Sequence, residues 1–341
     1  MTDLQQCARE LLPEAVYDYY AAGAGPESTL AANLAAWSEL RLRPRVLRDV
    51  SRVELSTTVL GEPVPHPILV APTAVHRLGH PEGELATARG AARAGSLMVV
   101  ATRASVTLEA IAAAAPDAQR WFQVYVMRDR GWTAELVQRA VAIGATALML
   151  TGDTPYVASN RRATKTTLQV PDDISMANRP TASPIDNGDG QDPSITFDTV
   201  AWLREQSGLP VIVKGVLRGD DARRTIEAGA GAVVVSNHGG RQLDGAVASA
   251  RALPEVVAAV GDEGEVYVDG GIRRGVDVLR ALALGARAVL IGRPVLWGLV
   301  TGGADGVAAV LQDLRAELHE AAALAGATTV PEITEDLLTP R

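Results

Sequence analysis

Eight short apolar runs recur along the chain, and they constrain the fold more than any other feature of the sequence. The runs are Ile68–Pro72, Leu97–Thr102, Trp121–Val126, Ala147–Thr151, Pro210–Lys214, Ala232–Ser236, Val266–Asp269 and Ala288–Ile291. They are largely continuous in apolar residues, rather than alternating with polar ones, which is typical of strands buried on both faces. They therefore predict a parallel sheet covered by helices.

Helix-compatible stretches rich in Ala, Leu, Glu and Arg separate most of these runs. They are Glu82–Ala94, Leu108–Ala114, Ala134–Ile143, Arg218–Ala228, Arg251–Val260 and Val276–Leu284. Eight parallel strands joined by right-handed helical crossovers can close into a ring. We therefore predict an α/β fold of the (β/α)8 (TIM) barrel type, as one domain over residues 1–341, rather than an open doubly wound sheet.

Two segments lie outside this repeat. The N-terminal part predicts a helical lead-in, in which Ala8–Ala21 is helix-compatible along nearly its whole length, and then a hairpin over residues 51–64 that caps the barrel floor. The segment Tyr156–Phe197 follows the fourth strand and spans 42 residues. Loops of that length are commonly functional lids, and this one would rise over the barrel mouth where active sites lie. We therefore predict a lid over residues 156–197.

The composition, 47% hydrophobic and 21% charged, excludes a disordered or collagen-like chain. The net charge of −8 gives no overall footprint for nucleic acid or anionic lipid. The one cysteine, Cys7, cannot form an internal disulfide or a four-thiolate site, and we expect no metal. Because no apolar run approaches the ~20 residues of a membrane span and no leader-like segment opens the sequence, we expect a cytoplasmic protein without membrane contact.

The polar residues after the sixth predicted strand form the most specific chemical feature of the sequence. His238 and Arg241 lie three residues apart in the glycine-flanked stretch SNHGGRQLDG. At the catalytic face of a barrel this places a proton acceptor beside a fixed cation, which suits proton abstraction from a carboxylate-bearing substrate. The alternatives are a structural His–Arg pair in a tight turn, and His76, after the first strand, as the base.

The loops after the seventh and eighth strands each combine glycine with arginine. They read DGGIRRG from Asp269 and IGRP from Ile291. Barrels often bind phosphate with these two loops, through glycine amides, helix N-termini and a cation. The pair predicts a phosphorylated ligand. A dinucleotide is not indicated, because no GxGxxG follows a strand and opens a helix.

Lys214 ends the fifth predicted strand, and a buried lysine there needs an anionic partner or a chemical role. It could form a Schiff base, as in a barrel aldolase, or stabilise negative charge on a reduced flavin. Composition and spacing indicate an enzyme barrel with a phosphate-bearing cofactor, a basic histidine and an anionic substrate. They do not choose the cofactor.

Eight segments of the chain resemble, in order, the FMN-dependent α-hydroxy-acid oxidase/dehydrogenase family, which includes glycolate, lactate and mandelate-type oxidases. The segments are YDYYAAGAG (Tyr17–Gly25), APTA followed by HPEGE (Ala71–Glu84), FQVYVMRDR (Phe122–Arg130), TGDTP (Thr151–Pro155), VKG (Val213–Gly215), SNHGGRQLDG (Ser236–Gly245), DGGIRRG (Asp269–Gly275) and IGRPV (Ile291–Val295). The resemblance covers nearly the whole chain.

The resemblance implies a catalytic group of five residues. His238 would be the base at the substrate Cα–OH unit, with Asp153 paired to it and favouring its imidazolium. Arg241 and Tyr19 would hold the substrate carboxylate. Tyr125 would hydrogen-bond the hydroxyl or the nascent carbonyl.

The resemblance also implies an FMN site. Gln123, Thr151 and Lys214 would contact the flavin pyrimidine, with Lys214 near N1, and Ser236 and Ala101 would add to this wall. Pro72, Thr73 and Ala74 would lie by the N5 edge. The phosphate would be held by Asp269, Gly270, Gly271, Arg273, Gly292 and Arg293.

The chain departs from the family pattern at the second carboxylate arginine. Where the family has a GRR motif, the ungapped sequence has Ser159 and Asn160, and a neutral amide cannot replace a bidentate ion pair. A loop shift could restore the charge through Arg161 or Arg162. Arg103, just past the second strand, is another candidate for the substrate carboxylate, and a solvated surface arginine is the alternative for it.

The function implied is FMN-dependent oxidation of a 2-hydroxy acid to the 2-oxo acid, with dioxygen as acceptor and hydrogen peroxide as product. The expected partners are a small-molecule substrate and, by resemblance, other copies of the chain in a homotetramer. The missing arginine keeps open an oxidase or dehydrogenase of an amine or of a carboxylate-masked intermediate. A non-catalytic flavin-binding barrel and a lysine-dependent aldolase are the alternatives from other classes.

Overall fold

The computed structural model describes residues 2–160, 162, 168, 170, 171, 173–179 and 190–339. Eight parallel strands form a closed barrel. They are β3 (Ile68–Val70), β4 (Met98–Ala101), β5 (Arg120–Val124), β6 (Leu148–Thr151), β7 (Val211–Val216), β8 (Ala232–Val235), β9 (Glu265–Val268) and β10 (Ala288–Ile291). Each strand pairs with the next in the chain, and β10 closes the ring on β3. The predicted (β/α)8 barrel is confirmed.

Both faces of the barrel strands are buried, which explains the continuous apolar runs. On β3, Leu69 belongs to the cluster inside the barrel, whereas Ile68 and Val70 belong to the cluster between the strands and the outer helices. The inner cluster also contains Trp121 and Tyr267, whose rings lie 5.5 Å apart. Such filling makes the lower barrel a packed core, so only the upper end is open to ligands.

Helices cover the barrel. They are α4 (Glu84–Ala94), α5 (Leu108–Ala114), α6 (Arg130–Ala142), α7 (Asp198–Ser207), α8 (Gly219–Glu227), α9 (Ser249–Val260), α10 (Gly275–Ala283) and α11 (Arg293–Ala325). Helix α11 is long and apolar enough to cross a membrane by length and composition alone, but 61% of its most apolar window is buried in the protein. Its apolar side chains, including Trp297 and Leu311, pack in the barrel's outer core.

The N-terminal segment forms three helices and a hairpin. The helices are α1 (Thr2–Leu11), α2 (Glu14–Ala21) and α3 (Ser28–Glu39), and the hairpin is β1 (Thr57–Val59) with β2 (Glu62–Val64). The predicted helical lead-in is present, and Ala8–Ala21 is helical except at Leu12 and Pro13, where Pro13 has no N–H to continue the ladder. The hairpin is confirmed, and Val59 and Val64 pack on the inner cluster, so it caps the barrel floor.

The predicted lid lies partly outside the described residues. Among its described residues, Tyr156–Asn160, Leu168, Val170, Gln191 and Pro193 line the cavity at the barrel mouth. An isolated bridge between Met127 and Gln191 ties the end of the segment to the loop after β5. This part of the segment therefore forms a wall of the cavity.

Candidate active site

A cavity of about 1140 Å³ opens at the carboxyl ends of the barrel strands. Most of the residues predicted from the sequence line it: Tyr19, Pro72, Thr73, Ala74, Ala101, Arg103, Gln123, Tyr125, Thr151, Lys214, His238, Arg241, Asp269, Gly270, Gly271, Arg273, Gly292 and Arg293. Asp153 and Ser236 lie behind this lining, bonded to His238 and Lys214. Arg161 lies outside the described residues. The structure thus brings together side chains from every barrel strand.

His238 lies in a short 3-10 turn directly after β8, with its backbone in the left-handed region at φ 59°. Its Nδ1 lies 2.9 Å from Oδ1 of Asp153. Burial raises the pKa of Asp153, but the charges of His238 and Lys214 outweigh burial and lower the pKa below its usual range. Asp153 is therefore a carboxylate that accepts a hydrogen bond from Nδ1–H of His238, which leaves Nε2 as the ring nitrogen that can take a proton.

His76 does not compete for the role of base. Its Nε2 lies 2.5 Å from the hydroxyl of Thr73, and its Nδ1 lies 2.9 Å from the hydroxyl of Thr87. Burial lowers its pKa, which disfavours the imidazolium. His76 is thus a buried neutral residue, with both ring nitrogens engaged, that holds Thr73 at the cavity wall.

Lys214 is a buried ammonium on β7, two residues before the strand ends. Its Nζ donates to Oγ of Ser236 at 3.0 Å and lies 3.3 Å from Oδ2 of Asp269. Burial lowers its pKa, but the Asp269 and Asp153 carboxylates outweigh burial and raise the pKa above its ordinary value. A lysine held protonated is a poor nucleophile for a Schiff base and a good partner for negative charge on a ligand.

Two partly buried guanidiniums stand at the phosphate-type loops after β9 and β10. Burial lowers the pKa of Arg273 to about 10 and lowers the pKa of Arg293 well below its usual range, with Arg241, Arg273 and Arg162 adding to the effect on Arg293. Arg293 donates to the backbone oxygens of Tyr20, Gly239 and Ala22. Because these cations repel one another, a dianion bound here would relieve the repulsion. The observation fits a phosphate.

Arg241 lies between the N-terminal segment and the cavity. Its Nη1 donates to the backbone oxygens of Tyr19 at 2.8 Å and Ala22 at 3.0 Å, and its guanidinium carbon lies 5.6 Å from the centre of the Tyr19 ring. The predicted pair of Arg241 and Tyr19 is thus in contact. The N-terminal segment, although outside the barrel repeat, holds the arginine at the mouth.

Tyr125 and Arg103 also line the cavity. Burial raises the pKa of Tyr125, although Arg103 and Lys214 oppose the shift, so the phenol is neutral and can donate a hydrogen bond. The guanidinium carbon of Arg103 lies 5.1 Å from the centre of the Tyr125 ring. Arg103 is therefore a cavity residue that stacks on the tyrosine, rather than a solvated surface arginine.

Asn160, which the ungapped comparison places where the family has its second carboxylate arginine, lines the cavity. Its Oδ1 accepts a hydrogen bond from the backbone of Arg162. The Arg162 guanidinium lies 3.0 Å from Glu27 and 3.6 Å from Asp18. Among the described residues, Arg162 is thus bound to acids of the N-terminal segment.

Gln123 and Thr151 form a fixed polar wall at the ends of β5 and β6. The Gln123 amide donates to Oγ1 of Thr151 at 2.9 Å and accepts from the backbone of Thr102 at 3.0 Å. Tyr20 and Arg128 also line the cavity, although the sequence pattern did not separate them from their neighbours. Within the described residues, no group of three or more His, Cys, Asp or Glu side chains could hold a metal ion.

The barrel and its cavity define a class. Mutually repelling guanidiniums stand after the last two strands, and a histidine hydrogen-bonded to a carboxylate follows β8. This combination is typical of a barrel enzyme that holds a phosphorylated cofactor beside an acid–base residue.

Comparison with known proteins narrows this class. The FMN-dependent dehydrogenase family matches residues 8–340. The chain is 47% identical to L-lactate oxidase of Nostoc sp., covering 98% of this chain and 96% of that protein. It is 43% identical to 2-hydroxyacid oxidase 1 of Homo sapiens, covering 99% and 95%. The crystal structure of mandelate oxidase with (S)-2-phenylpropionate superposes with a TM-score of 0.92 at 43% identity, covering 100% and 97%.

The chain therefore belongs to the FMN-dependent dehydrogenase family, and the protein is an FMN-dependent oxidoreductase. The residues present fit this cofactor. Arg273 and Arg293 supply the cationic site that the phosphate needs, and Lys214 supplies a buried ammonium for the charge of a reduced flavin.

Proposed function

We propose that the protein oxidises a 2-hydroxy acid to the 2-oxo acid, with His238 as the base. The observation that carries this proposal is the hydrogen bond between Nδ1 of His238 and the buried Asp153 carboxylate, at the mouth of a cavity that also contains Arg241. A carboxylate behind the imidazole fixes its tautomer and stabilises the imidazolium that forms when Nε2 takes a proton from the Cα–OH unit. FMN, when bound, supplies the two-electron acceptor for this oxidation.

The chain's own residues orient the substrate. Arg241 and Tyr19, which are already in contact, hold the α-carboxylate, and the neutral phenol of Tyr125 donates to the substrate oxygen. Arg103, stacked on Tyr125, adds a second positive charge to this part of the cavity. Held in this way, the substrate would present its Cα–OH unit to His238.

The cofactor would be held at both ends. Gln123, Thr151, Lys214 and Ala101 would form the wall for the pyrimidine part of the ring, with Ser236 behind it, bonded to Lys214. Pro72, Thr73 and Ala74 would line its other edge. Asp269, Gly270, Gly271, Arg273, Gly292 and Arg293 form the phosphate end.

The final electron acceptor in this proposal is dioxygen, and the product is hydrogen peroxide. The oxidase names of the lactate and 2-hydroxyacid relatives support it. A homotetramer in the cytoplasm completes the proposal. Light scattering of the purified holoenzyme and cell fractionation test these two parts.

A second candidate is an oxidase or dehydrogenase of a substrate without a free α-carboxylate, such as an amine or a masked biosynthetic intermediate. Asn160 favours it, because a neutral amide lines the cavity at the position that the ungapped comparison assigns to the family's second arginine.

Anaerobic mixing of the holoenzyme with L-lactate, glycolate, (S)-mandelate and the corresponding amides tests both candidates. Bleaching of the flavin by an acid, followed by peroxide formation in air, is the expected result. Bleaching by the amides alone would favour the second candidate. No bleaching by any compound would leave a flavin-binding barrel without turnover. Trapping of Lys214 by borohydride with a carbonyl compound would overturn the reading of Lys214 as a fixed ammonium.

A further inference from the structure

A reciprocal amide pair joins helix α3 to the turn that carries His238. Nδ2 of Asn33 donates to Oδ1 of Asn237 at 2.7 Å, and Nδ2 of Asn237 donates to Oδ1 of Asn33 at 2.8 Å. Both side chains are buried, with 1% and 4% of their surface exposed. The two residues lie 204 positions apart in the chain, so the pair is a tertiary contact between the N-terminal segment and the barrel.

The turn needs such support, because His238 holds a backbone conformation that a residue with a side chain rarely adopts, at φ 59°. Asn237, directly before it, uses its Oδ1 to accept from the backbone of Gly240 at 3.0 Å, and its Nδ2 to donate to the backbone oxygen of Val247. The Asn237 amide therefore bridges the turn around His238. Strained conformations of this kind persist only where the surroundings over-determine them.

Asn33 completes the hydrogen bonding of that amide. An asparagine side chain has two donor hydrogens and an oxygen with two lone pairs. In Asn237 one donor and one lone pair go to the turn, and the other donor and lone pair go to Asn33. Without Asn33, each end of the Asn237 amide would keep a single partner, and the amide could tilt.

The backbone of the turn that carries His238 also lies close to the backbone of α3. A Cβ on Gly240 would lie 2.7 Å from the backbone nitrogen of Leu30, so the turn lies directly against α3. Ser249, at the start of α9, donates its backbone N–H to Oδ1 of Asn33 at 3.3 Å. Asn33 is thus held from two sides and forms a fixed point for the turn.

We propose that Asn33 is a positioning residue for catalysis: it holds the Asn237 amide, and through it the left-handed turn that aims His238 at the substrate. The inference rests on the proposed function, in which His238 is the base. A small rotation of the turn would move Nε2 away from the substrate without removing any group that contacts substrate or cofactor. The rate of flavin reduction is therefore the quantity that should respond.

The test compares Asn33→Leu with Thr29→Val in the holoenzyme. Thr29 is a matched control, because it is a buried polar residue on the same helix that bonds the far end of the same segment, at the backbone of Gly245. Flavin reduction is measured anaerobically at saturating acid, using the acid that bleaches the wild type fastest. Because Asn33 also packs against Gly270 of the phosphate loop, the enzyme is kept saturated with FMN. We expect Asn33→Leu to slow reduction at least about fivefold, and Thr29→Val to stay within about threefold of wild type.

Asn33→Asp gives a readout that a purely structural role would not move. A carboxylate at this position cannot donate to Oδ1 of Asn237, whereas a protonated carboxyl can, and burial raises the pKa of such a group. The ratio of variant to wild-type reduction rate should therefore rise as the pH falls for Asn33→Asp and stay flat for Asn33→Leu. If Asn33→Leu does not fold, the pH dependence of the reduction rate in Asn33→Asp tests the proposal alone.

Wild-type reduction rates in both Asn33 variants would overturn the inference. So would equal slowing in Asn33→Leu and Thr29→Val that follows their loss of thermal stability. Failure of the proposed function gives a different result, namely fast reduction in His238→Asn, whatever the Asn33 variants do.

Discussion

Asp153 is more deeply buried than the histidine it supports: its side chain is 12% exposed, against 23% for His238, and the two are joined by a 2.9 Å hydrogen bond. The carboxylate therefore lies on the protein side of the pair and the imidazole on the cavity side. An acid–base residue in this arrangement faces the substrate with one nitrogen while the other is fixed from behind.

Replacing the base should stop the chemistry and leave the cofactor in place. We expect His238→Asn to slow anaerobic flavin reduction by about 100-fold or more, the usual range for a general base. FMN should stay bound, because the guanidiniums and Lys214 are untouched. Stopped-flow absorbance measures the rate, and the visible spectrum reports the retained flavin. Reduction at the wild-type rate would mean that the proton acceptor is another group.

Removing the charge behind the base should alter the pH dependence as well as the rate. The pKa of Asp153 is lowered in the folded protein, so its carboxylate is fully charged at any pH above the unfolded pKa of about 3.9. The stabilisation that this charge provides is lost only as the pH falls through the lowered folded pKa. Loss of activity in wild type at mildly acidic pH therefore does not come from Asp153.

Asp153→Asn should slow reduction and move the acid limb of the pH–rate profile to lower pH, because an amide no longer stabilises the imidazolium. The profile of kcat/KM from pH 5 to 9 checks this expectation. An unmoved acid limb would show that the Asp153 charge does not act on the base.

The phosphate should account for much of the cofactor's affinity. Apoprotein should bind FMN at least about 100-fold more tightly than riboflavin, since charge-assisted hydrogen bonds contribute roughly 1.5–3 kcal/mol each. Arg273→Met should remove most of this preference. The matched control is Arg274→Met, because the neighbouring Arg274 side chain is 71% exposed and lies 3.9 Å from Glu317. Flavin fluorescence quenching measures both ligands, and equal losses in the two variants would place the phosphate elsewhere.

Local pattern was enough to predict the barrel, because strands buried on both faces must be apolar along their length. The strand limits differ by a residue or two for reasons that are tertiary. Arg120 opens β5 although it is charged, since its guanidinium donates to the backbone oxygens of Ile143, Ala115 and Pro116. The contact with Ile143, 23 residues away, is one that the sequence around Arg120 does not indicate.

The site was predictable where motifs follow strands, and unpredictable where distant segments meet. His238, Lys214 and the two glycine–arginine loops stand at strand ends, so the barrel itself brings them to one cavity. The stacking of Arg103 on Tyr125 depends on side-chain direction between neighbouring strands. The amide pair of Asn33 with Asn237 depends on where the N-terminal helix docks, which no spacing rule specifies.

The substrate carboxylate should depend on Arg103 as well as on Arg241. Arg103 lies at the cavity against Tyr125, whereas Arg162 lies against Glu27 and Asp18. We therefore expect Arg103→Met to lower kcat/KM for 2-hydroxy acids roughly 30-fold or more, a loss of about 2 kcal/mol of transition-state stabilisation. Arg162→Met should have a smaller effect on the same substrates. The corresponding neutral amides should be almost insensitive to Arg103→Met, since they carry no charge for the guanidinium to stabilise. Steady-state kinetics with matched acid and amide pairs make the comparison.

Equal losses for acids and amides would indicate that Arg103 only packs on Tyr125. If acid turnover proved indifferent to Arg103 and Arg162 and still required Arg241, the cavity would have a single clamp, and a substrate without a free carboxylate would become the better candidate.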